Sequence, residues 1–246
     1  MTIWVIGGTS ESREIARMLS DRALPWVATV ASDRARRLYA GLPGRVRAGC
    51  LTAQTIDRFL DREGIQVIID ASHPFAVEIS QLAIATKRPY LRFERSQTPI
   101  LLPAVALPNL EALLVPDYLA GKRVLLLLGV KALPDFRAWH DLTKLWARVL
   151  PESRELALAA GFPPEQLILE TPPVPAERER LLWQNLQIDA VATKASGRPG
   201  GFETKQAIAR ELDIPLYAIA RPPITYPRQT DNLEAILEFY QEQKQP

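Results

Sequence analysis

The chain has 246 residues and a formal net charge of +2, with 47% hydrophobic and 24% charged residues. These values exclude disordered, collagen-like and coiled-coil classes and indicate a folded globular protein. The small net charge argues against nucleic acid as a partner, because a phosphate backbone requires many clustered cations. One cysteine and two histidines cannot form an internal disulfide or a closed Cys/His zinc site. We therefore expect no bound metal and a reducing, cytoplasmic location.

Two apolar runs are too short to be targeting or membrane segments. The first, residues 1–8, lacks a basic start and is too short for a signal sequence. The second, residues 124–130, is far shorter than the roughly 20 residues that span a bilayer. Both runs predict buried strands, and no membrane association is expected.

Short apolar runs alternate with stretches of helical spacing along the chain. The predicted strands are residues 3–6, 26–31, 45–48, 67–70, 90–93, 123–128, 145–150, 166–169, 190–193 and 216–219. This alternation is typical of βαβ units and parallel sheets, and the proline-rich passages between them indicate connectors. We predict an α/β protein of two Rossmann-like domains with mainly parallel sheets and a ligand cleft between them. Residues 1–116 would bind a dinucleotide, and residues 117–246 would contribute to the substrate cleft.

A glycine-rich turn joins the first predicted strand to the first helix. Glycines at this junction let the backbone approach a pyrophosphate at the helix N-terminus. The turn departs from the G-x-G-x-x-G pattern, and the alternative is a tight turn in which Ser10 caps the helix. The predicted cofactor contacts in this turn are Gly7, Gly8, Thr9, Ser10, Glu11 and Arg13.

The end of the second predicted strand bears on the choice of dinucleotide. Ser32 and Arg34 could bind the 2′-phosphate of NADPH, whereas Asp33 could bind the free ribose hydroxyl of NADH. In the alternative interpretation Ser32 caps the next helix and the arginines form a solvated face. We expect NADPH, with NADH as the alternative cofactor.

The segment Asp70–Ala76 follows the fourth predicted strand, at the carboxyl edge where open α/β sheets bind ligands. His73 could orient a ligand or donate a proton, and Ser72 is a candidate cofactor contact. The alternative is that Ser72 or His73 caps a helix while Phe75 belongs to the core.

Two further segments bring cations to predicted strand ends. Arg92 and Arg95 suit carboxylate recognition, with a surface ion pair to Glu94 as the alternative. A second glycine-rich loop, residues 193–205, can hold an anion through backbone N–H groups, or it is a flexible surface loop. The candidate contacts here and after the following strand are Lys194, Ser196, Gly197, Gly201, Lys205 and Arg221.

The order of these segments resembles the precorrin-6A reductase family of cobalamin biosynthesis, including its cobalt-precorrin-6A branch, over nearly the whole chain. The similar stretches are Gly7–Arg13, Asp70–Ala76, Tyr90–Arg95, Leu128–Lys131, Ala147–Pro151, the loop Lys194–Gly201 with Lys205, and Arg221–Pro222. Ser72 stands where the family usually has threonine, and Gly49–Cys50 replaces a common Gly-Arg.

The resemblance implies an oxidoreductase that acts on a CH–CH bond, reducing the C18–C19 double bond of precorrin-6A or cobalt-precorrin-6A with NADPH or NADH. Cations, including Lys131 and Arg198, would bind the carboxylates of this tetrapyrrole, and His73 would supply or relay a proton. Two alternatives stay open. One is another nicotinamide-dependent oxidoreductase, and the other is a noncatalytic dinucleotide-binding or redox-sensing module. The sequence makes no prediction of oligomeric state.

Overall fold

Two parallel sheets of six strands each organise the computed structural model, which describes residues 1–244. The strands are β1 (Thr2–Ile6), β2 (Trp26–Val30), β3 (Arg45–Ala48), β4 (Ile65–Asp70), β5 (Tyr90–Phe93), β6 (Ala104–Leu107), β7 (Arg123–Leu127), β8 (Lys144–Val149), β9 (Leu167–Leu169), β10 (Ala190–Lys194), β11 (Leu216–Ile219) and β12 (Gln229–Thr230). The predicted α/β class with Rossmann-like parallel sheets is confirmed.

Helices connect most of these strands. The α-helices are α1 (Ser10–Asp21), α2 (Asp33–Arg36), α3 (Ile56–Glu63), α4 (Val77–Ala85), α5 (Pro116–Leu119), α6 (Arg154–Ala159), α7 (Ala176–Asn185), α8 (Phe202–Glu211) and α9 (Leu233–Glu242). Segments of 3₁₀-helix occupy Arg37–Tyr39, Glu111–Leu113, Val130–Trp139, Pro151–Ser153, Pro164–Gln166 and Arg198–Gly200. Among residues 1–244, no helix has the length and apolar character needed to cross a membrane.

The chain divides into two compact units. Unit 1 comprises Met1–Ser96 and the C-terminal segment that begins at Pro223, and unit 2 comprises Gln97–Pro222. This division differs from the predicted boundary after residue 116. The strand β6 pairs with β11, so the proline-rich passage before residue 117 belongs to unit 2. The strand β12 pairs with β5, which returns the C-terminal segment to unit 1. Residues 245–246 of the second predicted domain lie outside the described residues.

In unit 1 the strand order is β12-β5-β4-β1-β2-β3, and every neighbouring pair is parallel. Alternate residues of β1 face opposite layers, as a strand requires. Ile3 and Val5 pack in a core with α1 and α9, whereas Trp4 and Ile6 pack in a second core with α3. Because both faces are covered, the strand is apolar from Ile3 to Ile6.

The strand order of unit 1 reverses between β1 and β4. The chain runs outward from β1 to β3 and then crosses back to β4, which lies on the other side of β1. In doubly wound sheets the ligand crevice lies outside the carboxyl ends of the two strands at this reversal. The glycine-rich turn follows β1 and the segment from Ala71 follows β4, so the fold positions both at this edge.

Unit 2 repeats the arrangement with the order β6-β11-β10-β7-β8-β9, again with parallel neighbours. Its core includes Leu125, Trp183, Val191, Phe202 and Leu216. The order reverses between β7 and β10. The loop before the 3₁₀-helix at Val130 follows β7, and the second glycine-rich loop follows β10, so both lie at the carboxyl edge of this reversal.

Candidate functional site

Hydroxyl groups fix the turn that follows β1. Thr9 is the N-cap of α1: its Oγ1 accepts the Ser12 N–H at 3.1 Å, while Ser12 Oγ accepts the Thr9 N–H at 3.0 Å. This reciprocal pair is a capping box. Ser12 Oγ also accepts the Gly8 N–H at 3.1 Å. The interpretation that Ser10 caps the helix is wrong, because Ser10 is already the first helical residue.

The two glycines of this turn satisfy different constraints. Gly8 has a φ of +103°, a conformation that strains any side chain, and a Cβ there would meet only Ala35 Cβ, at 3.9 Å. A Cβ on Gly7 would lie 2.0 Å from the Tyr39 hydroxyl oxygen. The space beside Gly8 is therefore open, whereas Gly7 is required for the packing of Tyr39.

Tyr39 is a residue of this turn that sequence reasoning missed. Its hydroxyl is hydrogen-bonded to Ser12 Oγ at 2.6 Å and accepts the Gly8 N–H at 3.2 Å. Burial raises the pKa of Tyr39, and the hydrogen bonds with Ser12 and Gly8 oppose this shift. Nothing in the sequence pattern distinguishes Tyr39 from an ordinary core tyrosine. The contact ties the segment after β2 to the glycine turn.

Two backbone amides of the first helical turn remain available to a ligand. Within residues 1–244, no protein acceptor contacts the N–H of Ser10 or Glu11. First-turn amides have no partner inside their helix, and together with the helix dipole they favour an anion. The Glu11 carboxylate, which would repel an anion, is paired with Arg95 at 3.0 Å. Arg13 instead donates from Nε to the Leu38 carbonyl at 2.6 Å.

The segment after β2 forms the short helix α2. Ser32 is its N-cap and accepts the Ala35 N–H at 3.3 Å, so the capping role weighed for Ser32 is observed. Asp33 pairs with Arg36 at 3.1 Å, and Arg34 lies half-buried in the same helix. The Ser32 hydroxyl, the Asp33 carboxylate and the Arg34 guanidinium thus all follow the carboxyl end of β2.

Asp70, the last residue of β4, anchors a buried polar network. Its Oδ1 accepts the Ser72 N–H at 3.0 Å and an Arg92 N–H at 2.9 Å. Its Oδ2 accepts the hydroxyls of Ser80 and Tyr90, each at 2.6 Å. Burial and the Asp70 charge raise the pKa of Tyr90, so Tyr90 stays a proton donor. Four donors satisfy this fully buried carboxylate, which the sequence indicated only as a polar residue ending an apolar strand.

Arg92 is buried, with 1% of its surface exposed. Its guanidinium donates to Glu94 at 2.8 Å, to Asp70, and to both the hydroxyl and the carbonyl of Ser72 at 3.1 Å. Burial disfavours the charged form, but the carboxylates of Asp70 and Glu94 raise the pKa of Arg92 overall. This placement differs from the substrate contact predicted for Arg92, because its donors face protein acceptors. Ser72 is likewise occupied by Arg92 and is buried.

His73 is exposed on the loop that follows this network. Its Nδ1 accepts the Phe75 N–H at 3.2 Å, and its carbonyl accepts the Ala76 N–H at 2.8 Å. With Nδ1 as an acceptor, the neutral imidazole carries its proton on Nε2. Ala76 is the N-cap of α4, so neither Ser72 nor His73 caps that helix, and Phe75 is only half-buried.

The switch point of unit 2 brings together Lys131 and Lys194. Lys194 ends β10, and Lys131 lies in the segment after β7. Burial lowers the pKa of Lys194, and the nearby positive charge of Lys131 lowers it further. Two like charges at one sheet edge favour an anionic ligand, because an anion relieves their repulsion.

The second glycine-rich loop is braced from within. Gly197 and Gly201 have positive φ values of +80° and +69°. A Cβ on Gly200 would lie 1.9 Å from Ser196 Oγ, so the buried Ser196 fills that space. Lys205 Nζ donates to the Gly200 carbonyl at 2.7 Å. Ser196 and Lys205 therefore shape the loop from its buried side.

Lys205 is 8% exposed, and burial lowers its pKa to about 8, helped by the nearby charge of Arg148. Arg148 itself bonds to the buried Glu179, and both were missed because nothing in their spacing marks a site.

Arg221 donates from Nε to the Ala195 carbonyl at 3.2 Å, while Arg198 is exposed and lies 3.9 Å from Glu203. In the described part of the chain, no group of three His, Cys, Asp or Glu side chains could hold a metal.

The predicted site residues therefore fall in both units. The glycine turn, the α2 segment, Ser72, His73, Arg92 and Arg95 lie at the carboxyl edge of unit 1. Lys131, Lys194, the second glycine-rich loop and Arg221 lie at the carboxyl edge of unit 2.

Comparisons with known proteins bear on the whole chain. Residues 2–241 match the family model described as precorrin-6x reductase CbiJ/CobK. The chain is 40% identical to the cobalt-precorrin-6A reductase of Synechocystis sp., over 98% of this chain and 96% of that protein. It is 30% identical to the precorrin-6A reductase of Rhodobacter capsulatus, over 89% and 88% of the two chains.

A solved structure, described as CobK precorrin-6A reductase, has the same fold. It matches with a TM-score of 0.76 and 25% sequence identity, over 99% of this chain and 97% of that one. The sequence and structural matches agree with the resemblance found in the motifs. The chain therefore belongs to the precorrin-6x reductase family, whose members are oxidoreductases that act on a CH–CH bond in cobalamin biosynthesis.

Proposed function

We propose that this chain reduces the C18–C19 double bond of cobalt-precorrin-6A with NADPH as the cofactor. Family membership supplies the reaction class, a tetrapyrrole substrate and a nicotinamide cofactor. The observation that carries the cofactor site is the pair of available amides at Ser10 and Glu11, beside the open space at Gly8 and at the switch point of unit 1.

The residues at this edge fit a dinucleotide. The Ser10 and Glu11 amides would hold its pyrophosphate, as helix N-termini do in other doubly wound sheets. Ser32 and Arg34 would hold a 2′-phosphate. Asp33, the residue that could instead select a free ribose hydroxyl, is paired with Arg36, and this pairing favours NADPH over NADH. When bound, the cofactor supplies a hydride to one carbon of the double bond.

The second carbon of the reduced bond requires a proton. His73 is exposed at the end of β4, and its Nε2 carries the proton of the neutral ring. His73 is therefore our candidate to supply or relay this proton. Alignment of cofactor and macrocycle contributes the rest, because binding in a reactive geometry removes much of the entropic barrier.

Cations are needed to bind the acetate and propionate groups of the macrocycle. Lys131 and Lys194 are our first candidates, since they bring two positive charges to the carboxyl edge of unit 2 and Lys131 lowers the pKa of the buried Lys194. Arg95, Arg198, Arg221 and the amides of Gly197 and Gly201 are the further candidates. Lys205 and Ser196 support the loop rather than reach outward, so their part in binding is indirect.

The cobalt-containing macrocycle is the favoured substrate. The relative at 40% identity is named a cobalt-precorrin-6A reductase, whereas the relative named a precorrin-6A reductase in Rhodobacter capsulatus is 30% identical. The name of the relative at 40% identity supports the cobalt form for the present chain.

The test is a comparison of the four substrate and cofactor pairs. Purified protein is mixed anaerobically with precorrin-6A or its cobalt form, each with NADPH or NADH, and the macrocycle and nicotinamide spectra are followed together. We expect the highest kcat/KM with the cobalt form and NADPH. A higher value with the metal-free form would overturn the substrate choice, and a higher value with NADH would overturn the cofactor choice.

A further inference from the structure

We infer that Arg92 is a positioning residue for His73, acting through Asp70 and Ser72. The inference rests on the proposed role of His73 in proton supply. It replaces the expected contact between Arg92 and a substrate carboxylate with an internal role.

The two residues before His73 have every backbone polar group hydrogen-bonded. The Ala71 N–H donates to the Ile6 carbonyl at 3.0 Å, and the Ala71 carbonyl accepts the Thr9 hydroxyl at 2.7 Å. The Ser72 N–H donates to Asp70, and the Ser72 carbonyl accepts from Arg92. The loop therefore leaves β4 along one fixed path.

Arg92 supplies the part of this restraint closest to His73. One guanidinium spans three acceptors: the Asp70 carboxylate, the Ser72 hydroxyl and the Ser72 carbonyl. The planar fork of arginine can satisfy acceptors in several directions at once, which a lysine ammonium on its flexible stem does less rigidly. The same guanidinium also donates from Nε to Glu94, and the centroid of the Tyr226 ring lies 5.3 Å from it.

A stabilising role alone does not explain this arrangement. Burying a guanidinium and a carboxylate costs desolvation energy, so apolar side chains of similar size often stabilise a core as well or better. What the Arg92–Asp70 pair provides is directed bonding to Ser72, the residue before His73. An acid-base group must be held close to its productive geometry, and displacements of about 1 Å reduce rates strongly.

The two histidines of the chain make the inference directly measurable. Imidazole nitrogen NMR of protein labelled with nitrogen-15 histidine gives signals from His73 and His140 only. His140 lies in unit 2 beside Phe162 and serves as an internal control. In the native protein we expect His73 to show a proton on Nε2 and a bare Nδ1, because Nδ1 accepts the Phe75 N–H.

The test variant is Arg92→Lys, which keeps the positive charge but replaces the planar guanidinium with a single ammonium group. We expect the His73 nitrogen signals to move toward those of a freely exchanging imidazole, while the His140 signals stay unchanged. We also expect kcat to fall about tenfold, equivalent to about 1.4 kcal/mol, with the Kd for NADPH within about twofold of the native value. Arg88→Lys, at the amino end of β5, is the matched control and should change none of these quantities.

A second variant, Ser72→Ala, keeps the inference testable if Arg92→Lys does not fold. Ser72→Ala removes the hydroxyl that accepts from Arg92 and keeps the carbonyl contact, so it should produce a smaller change in the same direction. Unchanged His73 signals in both variants would overturn the inference and leave the proposed function intact. Native turnover in His73→Ala would instead overturn the proposed role of His73, which separates the two failures.

Discussion

Gly8 gives a first prediction at the scale of single residues. In Gly8→Ala, the new Cβ strains a φ of +103° and displaces the neighbouring Ser10 and Glu11 amides. We expect the Kd for NADPH, measured by nucleotide fluorescence, to rise at least about tenfold, or about 1.4 kcal/mol. Gly121 in unit 2 has a φ of +70° and open space around its Cβ position, so Gly121→Ala applies similar strain away from the turn. Equal weakening in both variants would contradict the assignment.

The second prediction concerns the contact between Arg34 and the 2′-phosphate of NADPH. Its removal in Arg34→Ala should weaken NADPH binding about tenfold, the size expected for one lost charge-assisted contact of about 1.4 kcal/mol. Binding of NADH should change little, because NADH has no 2′-phosphate. Arg17→Ala, on the exposed face of α1, is the control. Parallel losses for both cofactors would refute the phosphate contact.

Lys205 predicts a pH dependence of stability. Its pKa falls from 10.5 to about 8 on folding, so above pH 8 the unfolded chain binds more protons than the folded one. The free energy of unfolding contributed by Lys205 therefore rises between about pH 8 and pH 10.5 and is lowest below pH 8. Relative to Lys205→Met, the native protein should gain stability on the order of 3 kcal/mol over this range. Urea unfolding of both proteins measures the difference, and a constant difference would contradict the buried charge.

At the scale of secondary-structure elements, the Arg148–Glu179 pair joins β8 to α7. Both side chains are buried, and Trp183 Nε1 donates to the Glu179 carboxylate at 3.0 Å. Glu179→Leu should lower the free energy of unfolding by about 3 kcal/mol, because it leaves a buried guanidinium poorly paired.

The double variant Arg148→Met with Glu179→Leu is the decisive comparison for this pair. It should be more stable than Glu179→Leu alone, since both charges are then absent from the interior. Glu155→Ala breaks an exposed pair with Arg154 and should leave the urea midpoint unchanged. A double variant less stable than the single one would show that the pair contributes more than charge compensation.

Elements differ in how far their sequence predicts them. The strands β1, β4, β7 and β10 each contain a short apolar run, and their positions follow from the sequence directly. In contrast, β6 has four residues between prolines and β12 has two, so neither is distinguishable from a connector. Their pairing with β11 and β5 depends on the tertiary fold, which is why the predicted boundary after residue 116 differs from the observed division.

The sequence predicts the positions of the candidate site residues better than their contacts. The positions of the glycine turn and of His73 follow from the rule that polar loops lie at the carboxyl edge of a parallel sheet. The inward orientation of Arg92 does not, because a buried and an exposed arginine look alike in one sequence. The sequence offers Glu94 as a partner only at the surface, and Asp70 becomes an acceptor for Arg92 only once β4 and β5 pair.

For the whole molecule, both units place loops of complementary chemistry at the reversal of a parallel sheet. The edge of unit 1 offers helix amides and a histidine, whereas the edge of unit 2 offers two lysines and a glycine-rich loop. In the proposed function, the set in unit 1 binds the dinucleotide and the set in unit 2 binds carboxylates of the macrocycle.

The measurement that tests this account most directly traces the transferred hydrogen. The protein is incubated anaerobically with cobalt-precorrin-6A and NADPH that carries deuterium at the reactive nicotinamide carbon, and the product is analysed by NMR and mass spectrometry. We predict one deuterium at C18 or C19, with the hydrogen on the other carbon derived from solvent. Oxidation of the nicotinamide without deuterium at either carbon, or cofactor binding with an unchanged macrocycle, would contradict the proposed reduction.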